Sequence, residues 1–212
     1  MLISPLVLGV SSSSLSQSEV SILNEINPYG LILFTRNIVN KVQLKKLINE
    51  VKEKVREDIH ILTDQEGGKV QRLDIPHWQR YPSYRKIGDL YVKSAKVANR
   101  LSYLTGRLIS NDLVDVGIDI NCAPCVDIRH LNTSNILVER IFSSEANIVY
   151  QLANEMIKGF QQGRIVPIIK HIPGHGRSSL DSHIELPTIC DPIEELIYHD
   201  FDPFIKFNSI PI

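Results

Sequence analysis

Short apolar runs alternate with longer stretches in which apolar residues recur at helical spacing. The apolar runs occupy residues 6–10, 31–34, 59–63, 118–128 and 165–169. A strand followed by an amphipathic helix, repeated in this way, is typical of βα units around a parallel sheet. The sequence therefore predicts an α/β fold with five full βα units and the start of a sixth.

The helical stretches carry recognisable start and stop signals. Ser16 and Glu19 have the spacing of a capping box, and Pro28 should end the helix that they open. A long helix should end at Gly117, and a last helix should begin with Asp191 as its N-cap. The apolar stripe of the long helix is predicted at Val97, Leu101, Leu104 and Leu108. That of the last helix is predicted at Ile193, Leu196, Ile197 and Phe204.

The number of units limits the architecture. A closed barrel of parallel strands has eight units in ~250 residues. We therefore predict that residues 1–212 form one domain, a TIM-type (β/α)8 barrel truncated after about five units. An unclosed sheet exposes strand edges, so such a chain is expected to fold poorly alone or to pair with a second chain that completes the barrel.

Composition excludes several classes of function. Lys and Arg (23) balance Asp and Glu (24), for a net charge of -1, so neither nucleic acid nor an anionic membrane is an expected partner. No apolar stretch approaches the ~20 residues of a membrane span. The apolar N-terminus lacks a preceding basic residue and contains Pro5, which favours a buried strand over a signal peptide. Three cysteines without a secretory signal indicate the cytoplasm.

Polar residues that directly follow apolar runs are the candidates for chemistry, because such barrels build their active sites at the C-terminal ends of strands. Asp64 follows the third run, and Arg72 lies shortly after it. Arg140 lies in the loop after the fourth run, and Lys170 and His171 end the fifth. Taken alone, Asp64 also suits a helix cap, and the two arginines suit surface positions that contribute little.

A loop without apolar periodicity follows Lys170 and carries a second candidate group. Asp181 and His183 are two residues apart, so in an extended segment their side chains face the same way and the carboxylate can orient the imidazole. An imidazole with a pKa near ~6.5 is suited to proton transfer at neutral pH. The alternative is an Asp-Ser-His turn without a catalytic role.

Together these motifs resemble a known enzyme family. The run Lys-His-Ile-Pro-Gly-His-Gly at residues 170–176, Asp-Ser-His at 181–183 and Asp-Gln-Glu-Gly-Gly at 64–68 resemble the N-terminal barrel of glycoside hydrolase family 3. Within that family, the Asp-Ser-His loop resembles the bacterial β-N-acetylglucosaminidases of cell-wall recycling. The resemblance implies a retaining hydrolase for N-acetylglucosamine-containing saccharides from peptidoglycan, without a cofactor or a metal.

The resemblance also assigns roles to residues. It implies that His183 is the general acid/base and that Asp181 assists it. The sugar-binding residues that it implies are Asp64, Arg72, Arg140, Lys170 and His171. In the resembling family the nucleophilic aspartate lies on a later strand, so we expect it beyond residue 212 and expect turnover by these residues alone to be impaired.

Two other functions are compatible with the residues. A metal-dependent hydrolase would use the cluster of His171, His175, Asp181 and His183, although the spacing is not a zinc-ligand pattern on a helix. A non-catalytic sugar-binding remnant is the second alternative. Cys122 and Cys125 form a lone Cys-x-x-Cys motif, which indicates buried structural cysteines.

Overall fold

A computed structural model of the chain describes residues 2–207. Its strands are β1 (Ser4–Gly9), β2 (Pro28–Leu33), β3 (His60–Thr63), β4 (Gln65–Gly67), β5 (Val70–Gln71), β6 (Ile120–Asn121) and β7 (Val166–Pro167). The main sheet has the order β1-β2-β3-β6-β7, and all of its neighbouring strands are parallel. Strands β4 and β5 form a separate antiparallel hairpin. The predicted α/β arrangement is confirmed.

Helices connect the strands of the main sheet and carry much of the core. They are α1 (Gln17–Ile26), α2 (Lys41–Lys54), α3 (Tyr84–Lys93), α4 (Ala95–Val116), α5 (Ala146–Gln162), α6 (Ile193–Tyr198) and α7 (Asp202–Phe207), with short 3-10 turns at Thr35–Asn37 and Val138–Arg140. Among residues 2–207, no helix combines the length and the apolar character that crossing a bilayer requires.

The capping box at the start of α1 is present as predicted. The Ser16 hydroxyl accepts from the Glu19 amide at 3.2 Å, and the Ser16 amide donates to Glu19 Oε2 at 2.8 Å. The helix ends at Ile26, with Asn27 in the left-handed region at φ 49°, and Pro28 begins the next strand. Local signals therefore fix both ends of this helix.

The two outer strands of the main sheet are less buried than the sequence predicts. Leu6 and Val7 of β1 are 47% and 43% exposed, although this strand was expected to be buried. At the opposite edge, Val166 and Ile168 are 44% and 39% exposed. Each of these strands has a described neighbour on one side only, which explains the correction.

The predicted apolar stripe of α4 is wrong at three of its four positions, and only Leu101 packs against the core. Val97, Leu104 and Leu108 are 52%, 37% and 48% exposed, so they lie on the outer face of the helix. The buried face instead carries mostly small residues, which include Ala98, Ser102, Thr105, Gly106, Ile109 and Ser110.

Close packing of α4 against α5 explains why small residues are buried there. A Cβ atom added at Gly106 would lie 2.4 Å from the carbonyl oxygen of Met156, and one added at Gly159 would lie 2.3 Å from that of Tyr103. The two backbones approach too closely for larger side chains at these positions. The Ser102 hydroxyl donates to the Leu152 carbonyl at 2.6 Å across the same interface.

The last predicted helix is divided into two. Helix α6 ends at Tyr198, and Asp191 does not cap it, because its carboxylate accepts from Arg177 instead. Ile193 and Ile197 are 54% and 43% exposed, so the predicted stripe is wrong in this segment. Phe204 of α7 is buried as predicted.

Candidate active site

Side chains from three distant segments meet at the C-terminal ends of the strands. Asp64 follows β3, and Lys170 and His171 lie beyond β7. Lys170 Nζ donates to Asp64 Oδ1 at 2.7 Å, across 106 residues of sequence, and also lies 2.7 Å from Glu66 Oε1. Arg140, in the 3-10 turn after β6, reaches the same place. We call Asp64, Glu66, Arg140, Lys170 and His171 the strand-end cluster.

Glu66 is the member of this cluster that the sequence did not predict. Its side chain is 1% exposed and accepts a two-pronged contact from Arg140, with Nε–Oε2 at 3.0 Å and Nη2–Oε1 at 2.8 Å. Bidentate arginine–carboxylate pairs combine strength with a fixed orientation. Its position two residues after Asp64, in a segment already selected as a strand end, was the available signal.

Arg72 lies beside the cluster and keeps unused hydrogen-bonding capacity. Its Nη2 donates to Asp64 Oδ2 at 3.3 Å, and its guanidinium lies over the Phe34 ring at 5.6 Å. Its Nε atom is buried and has no hydrogen-bond partner among residues 2–207. A buried donor without a partner costs free energy, which a ligand acceptor would recover.

The charges of the cluster stabilise one another. Burial alone would raise the pKa of Asp64, but the Lys170 ammonium and the Arg72 guanidinium hold that pKa below its ordinary value. Burial alone would lower the pKa of Lys170, but Glu66 and Asp64 raise it above its ordinary value. Glu66 likewise raises the pKa of Arg140 against the effect of burial. The site therefore presents fixed cations and fixed anions at neutral pH.

His171 is held from both sides of its ring. Its Nδ1 lies 2.7 Å from Asp127 Oδ2, and its Nε2 lies 3.2 Å from Arg140 Nη2. Asp127 is fully buried, and its Oδ1 also accepts from the His175 amide at 2.7 Å. Burial would raise the pKa of Asp127, but the His171 contact and the other donors hold it below its ordinary value. Asp127 is the next-to-last residue of the apolar run 118–128, and this position near a strand end was the available signal for it.

Among residues 2–207, one group places potential metal-ligand atoms close together. The ligand atoms of Cys125, Asp127 and His171 lie within 4.8 Å of one another. The four residues of the metal-hydrolase alternative do not form such a group in this part of the chain. In this structure the three side chains satisfy one another: Cys125 Sγ donates to Asp127 Oδ2 at 3.1 Å, and His171 Nδ1 lies 2.7 Å from the same oxygen.

Asp181 and His183 are in contact, but their backbone is a turn and not the extended segment that was predicted. Asp181 Oδ1 lies 2.7 Å from His183 Nδ1 and accepts from the His183 amide at 2.9 Å. The Asp181 carbonyl accepts from the Ile184 amide at 2.9 Å. The carboxylate reaches the ring because a turn brings position i+2 back over position i. We call these two residues the loop dyad.

The loop dyad is open to solvent. The His183 side chain is 78% exposed and that of Asp181 is 26% exposed. The backbone and side-chain contacts from His183 hold the pKa of Asp181 below its ordinary value. His175 lies between the dyad loop and the strand-end cluster, since its Nε2 is 3.3 Å from the Ser182 hydroxyl and its ring is 5.9 Å from that of His171.

Arg177 closes the base of the dyad loop. Its Nε donates to Asp200 Oδ2 at 2.7 Å, and its two terminal nitrogens donate to Asp191 and Glu195. Asp200 is 3% exposed and also accepts from His130 Nε2 at 2.9 Å. One guanidinium thus joins the beginning of the loop to its end.

Comparison with known proteins identifies the scaffold that carries these groups. The profile of the glycosyl hydrolase family 3 N-terminal domain matches residues 5–207. The chain belongs to this family. The family 3 chain is 32% identical over 201 residues to a β-hexosaminidase of Pasteurella multocida, covering 95% of this chain and 56% of the relative. It is also 32% identical to a β-hexosaminidase of Actinobacillus pleuropneumoniae over 204 residues, 96% of this chain and 58% of the relative.

Solved structures agree with the family assignment. NagZ from Neisseria gonorrhoeae superposes with a TM-score of 0.89 at 31% identity, covering 94% of this chain and 58% of that one. The family 3 chain thus spans somewhat more than half the length of these relatives. The likeness confirms the predicted TIM-type α/β fold, of which these residues provide about five units. The same NagZ has been solved with N-trifluoroacetyl-D-glucosamine and with a zinc ion.

Proposed function

We propose that residues 1–212 form one incomplete family 3 barrel domain that provides the sugar site and the acid/base of a retaining β-N-acetylhexosaminidase. The observation that carries this proposal is the convergence of Asp64, Lys170, Arg140 and His171 on one strand-end cluster. The loop dyad lies on the segment that leads away from that cluster. Such a division between fixed binding groups and a loop-borne acid/base is suited to glycoside hydrolysis.

The strand-end cluster and Arg72 bind the sugar in this proposal. Asp64 accepts hydrogen bonds from hydroxyl groups, and Lys170, Arg140 and the unused Nε of Arg72 donate them. The saccharide contains N-acetylglucosamine, and the complex of the related NagZ with N-trifluoroacetyl-D-glucosamine supports this choice. Peptidoglycan fragments as the source of that saccharide rest on the resemblance of the Asp-Ser-His loop to the recycling enzymes. The cytoplasm as the compartment rests on the cysteine content.

His183 transfers the proton in this proposal, and Asp181 orients it. Asp181 accepts from Nδ1, which leaves Nε2 to give a proton to the leaving oxygen and to take one from the attacking water. Because the ring is 78% exposed, this proposal requires the loop to close over the sugar before the proton is transferred.

The nucleophilic carboxylate comes from outside residues 1–212 in this proposal. The carboxylates at the strand ends are already engaged: Asp64 by Lys170 and Arg72, Glu66 by Arg140 and Lys170, and Asp127 by buried donors. A later part of a longer chain, or a second chain, completes the barrel and supplies this group.

Binding is the first test. N-acetylglucosamine is titrated into the 212-residue chain by isothermal calorimetry, and Arg72→Ala is expected to weaken binding about 10-fold or more, because a charged donor is lost. Arg100→Ala, on the exposed face of α4, is the matched control and is expected to bind like the parent chain. Absence of binding by the parent chain would contradict the proposed sugar site.

Turnover is the second test, and it separates the enzyme from the sugar-binding remnant. The 212-residue chain is assayed with an aryl β-N-acetylglucosaminide, alone and with a polypeptide that carries the later units of the Pasteurella multocida β-hexosaminidase. We expect chromophore release only from the mixture, and loss of that release with His183→Ala. Release by the chain alone would place the nucleophile within it. Binding without release from a mixture shown to associate would favour the remnant.

A further inference from the structure

We propose that Asp127 is a positioning residue that, together with Cys125, fixes His171 as a neutral imidazole protonated on Nδ1, leaving Nε2 as a hydrogen-bond acceptor in the sugar site. The contact of His171 with sugar rests on the proposed function. The protonation pattern of the ring does not, since it follows from the contacts of the chain itself.

The Nδ1 side of the ring faces an atom that can only accept. Asp127 has no exposed surface, and its Oδ1 accepts from the amides of His171 and His175 at 3.3 Å and 2.7 Å. Its Oδ2 lies 2.7 Å from His171 Nδ1. An ionised carboxylate has no proton to give, so the proton of this contact belongs to Nδ1.

The Nε2 side of the ring faces an atom that can only donate. Arg140 Nη2 lies 3.2 Å from Nε2, and a guanidinium has five N–H donors and no acceptor. A proton on Nε2 would therefore oppose another N–H group and bring a second positive charge against Arg140. The remaining ring beside His171 is that of His175, whose centroid is 5.9 Å away. The two fixed neighbours together select one tautomer.

Cys125 orients the Asp127 carboxylate, which in turn orients the His171 imidazole. Its thiol is fully buried and donates to Asp127 Oδ2 at 3.1 Å, the same oxygen that accepts from His171. Burial and the neighbouring carboxylate raise the pKa of this thiol well above its ordinary value, so the proton stays on sulfur. With this contact, both oxygens of Asp127 accept two hydrogen bonds each, and the carboxylate has one orientation.

The tautomer also determines how Arg140 is held in the site. The single lone pair of His171 Nε2 accepts from Arg140 Nη2, while Glu66 accepts from the same guanidinium. A ring protonated on Nε2 would turn an N–H group toward Arg140 and remove this acceptor. Asp127 therefore positions His171 and, through it, Arg140, which is one of the donors assigned to the sugar.

The tautomer is measured directly by long-range 1H–15N correlation spectra of the 212-residue chain labelled in histidine, with His171→Gln to assign the signal. We expect a protonated Nδ1 and an unprotonated Nε2 at pH 7, unchanged by a metal chelator and by Cys125→Ser, which keeps a donor. In Asp127→Asn the amide can offer either an acceptor or a donor, so we expect a mixture of tautomers and about 10–100-fold weaker N-acetylglucosamine binding.

Several results would overturn this inference. A wild-type ring protonated on Nε2, a doubly protonated ring at pH 7, or a pattern that changes on chelation would each do so, as would Asp127→Asn with an unchanged tautomer. If that variant does not fold, Cys125→Ala replaces it, and the wild-type spectrum remains decisive. The expected tautomer in a chain that binds no sugar would contradict the proposed function alone.

Discussion

The strand-end cluster and the loop dyad lie on the same end of the barrel, yet they are built differently. Glu66 and Lys170 are 1% and 14% exposed, and each contacts more than one charged partner. His183 is 78% exposed, and its described polar contacts are all with Asp181. Binding groups gain from being fixed before the ligand arrives, whereas a group that exchanges protons with water gains from access.

Acidification is expected to have the largest effect and to act on the strand-end cluster and on Asp127, which contacts it through His171. Asp64 and Asp127 have lowered pKa values, so the unfolded chain takes up their protons first. Their contribution to stability is complete above about pH 4 and is lost as pH falls toward the lowered folded values. We expect the free energy of unfolding, followed by fluorescence of the single tryptophan Trp78, to fall steeply below about pH 4. A flat profile between pH 5 and pH 3 would contradict this.

Removal of one buried charge is the next largest expected effect. Glu66→Gln leaves Arg140 and Lys170 without a buried carboxylate that both contact, so we expect a loss of about 3–5 kcal/mol in urea unfolding. Glu139→Gln, in the 3-10 turn beside Arg140, is the control and should lose about 1 kcal/mol or less. Equal losses in the two variants would mean that the cluster contributes no more to the free energy of unfolding than the residues around it.

Loss of the loop anchor should have an intermediate effect. Arg177→Met leaves the buried Asp200 with His130 as its remaining side-chain partner, so we expect a loss of about 1–3 kcal/mol. Limited proteolysis should then cut between residues 177 and 191 faster than in the parent chain. Arg177→Lys keeps the charge but not the fork that joins three carboxylates, and we expect it to be cut at an intermediate rate. An unchanged cleavage rate in both variants would show that Arg177 does not anchor the loop.

A change in the dyad itself is expected to leave stability nearly unaffected. His183→Gln alters an exposed side chain, so the free energy of unfolding should change by about 0.5 kcal/mol or less. The measurement is urea unfolding beside Glu66→Gln under the same conditions. A loss as large as that of Glu66→Gln would remove the contrast between the two regions.

Local signals in the sequence predicted a substantial part of the fold. The capping box of α1 and the sheet of parallel strands follow from spacing over a few residues. The rule that barrel sites lie at strand ends predicts Asp64, Lys170 and His171 as site residues from the sequence. The meeting of Lys170 and Asp64 across 106 residues agrees with that rule.

The errors have a common physical origin in contacts that spacing does not encode. The stripe of α4 was placed on large apolar residues, but close approach to α5 buried Gly106 and exposed Leu108. Glu66 and Asp127 were not selected, because an acid in a sequence does not reveal which distant base it meets. The dyad was expected in an extended segment, and the turn that forms it depends on an Asp181 side-chain contact with backbone.

The glycine crossing of α4 and α5 has a consequence for how this domain tolerates change. In a saturation library of these two helices, tolerance to substitution should run opposite to side-chain size. Val97 and Leu108 should accept polar residues readily, and Gly106 and Gly159 should accept almost no other residue. Sequence drift along α4 is therefore tolerated at the exposed apolar positions Val97, Leu104 and Leu108 and is restricted at the glycine crossing. In this helix the fold constrains the small buried residues more strongly than the large exposed ones.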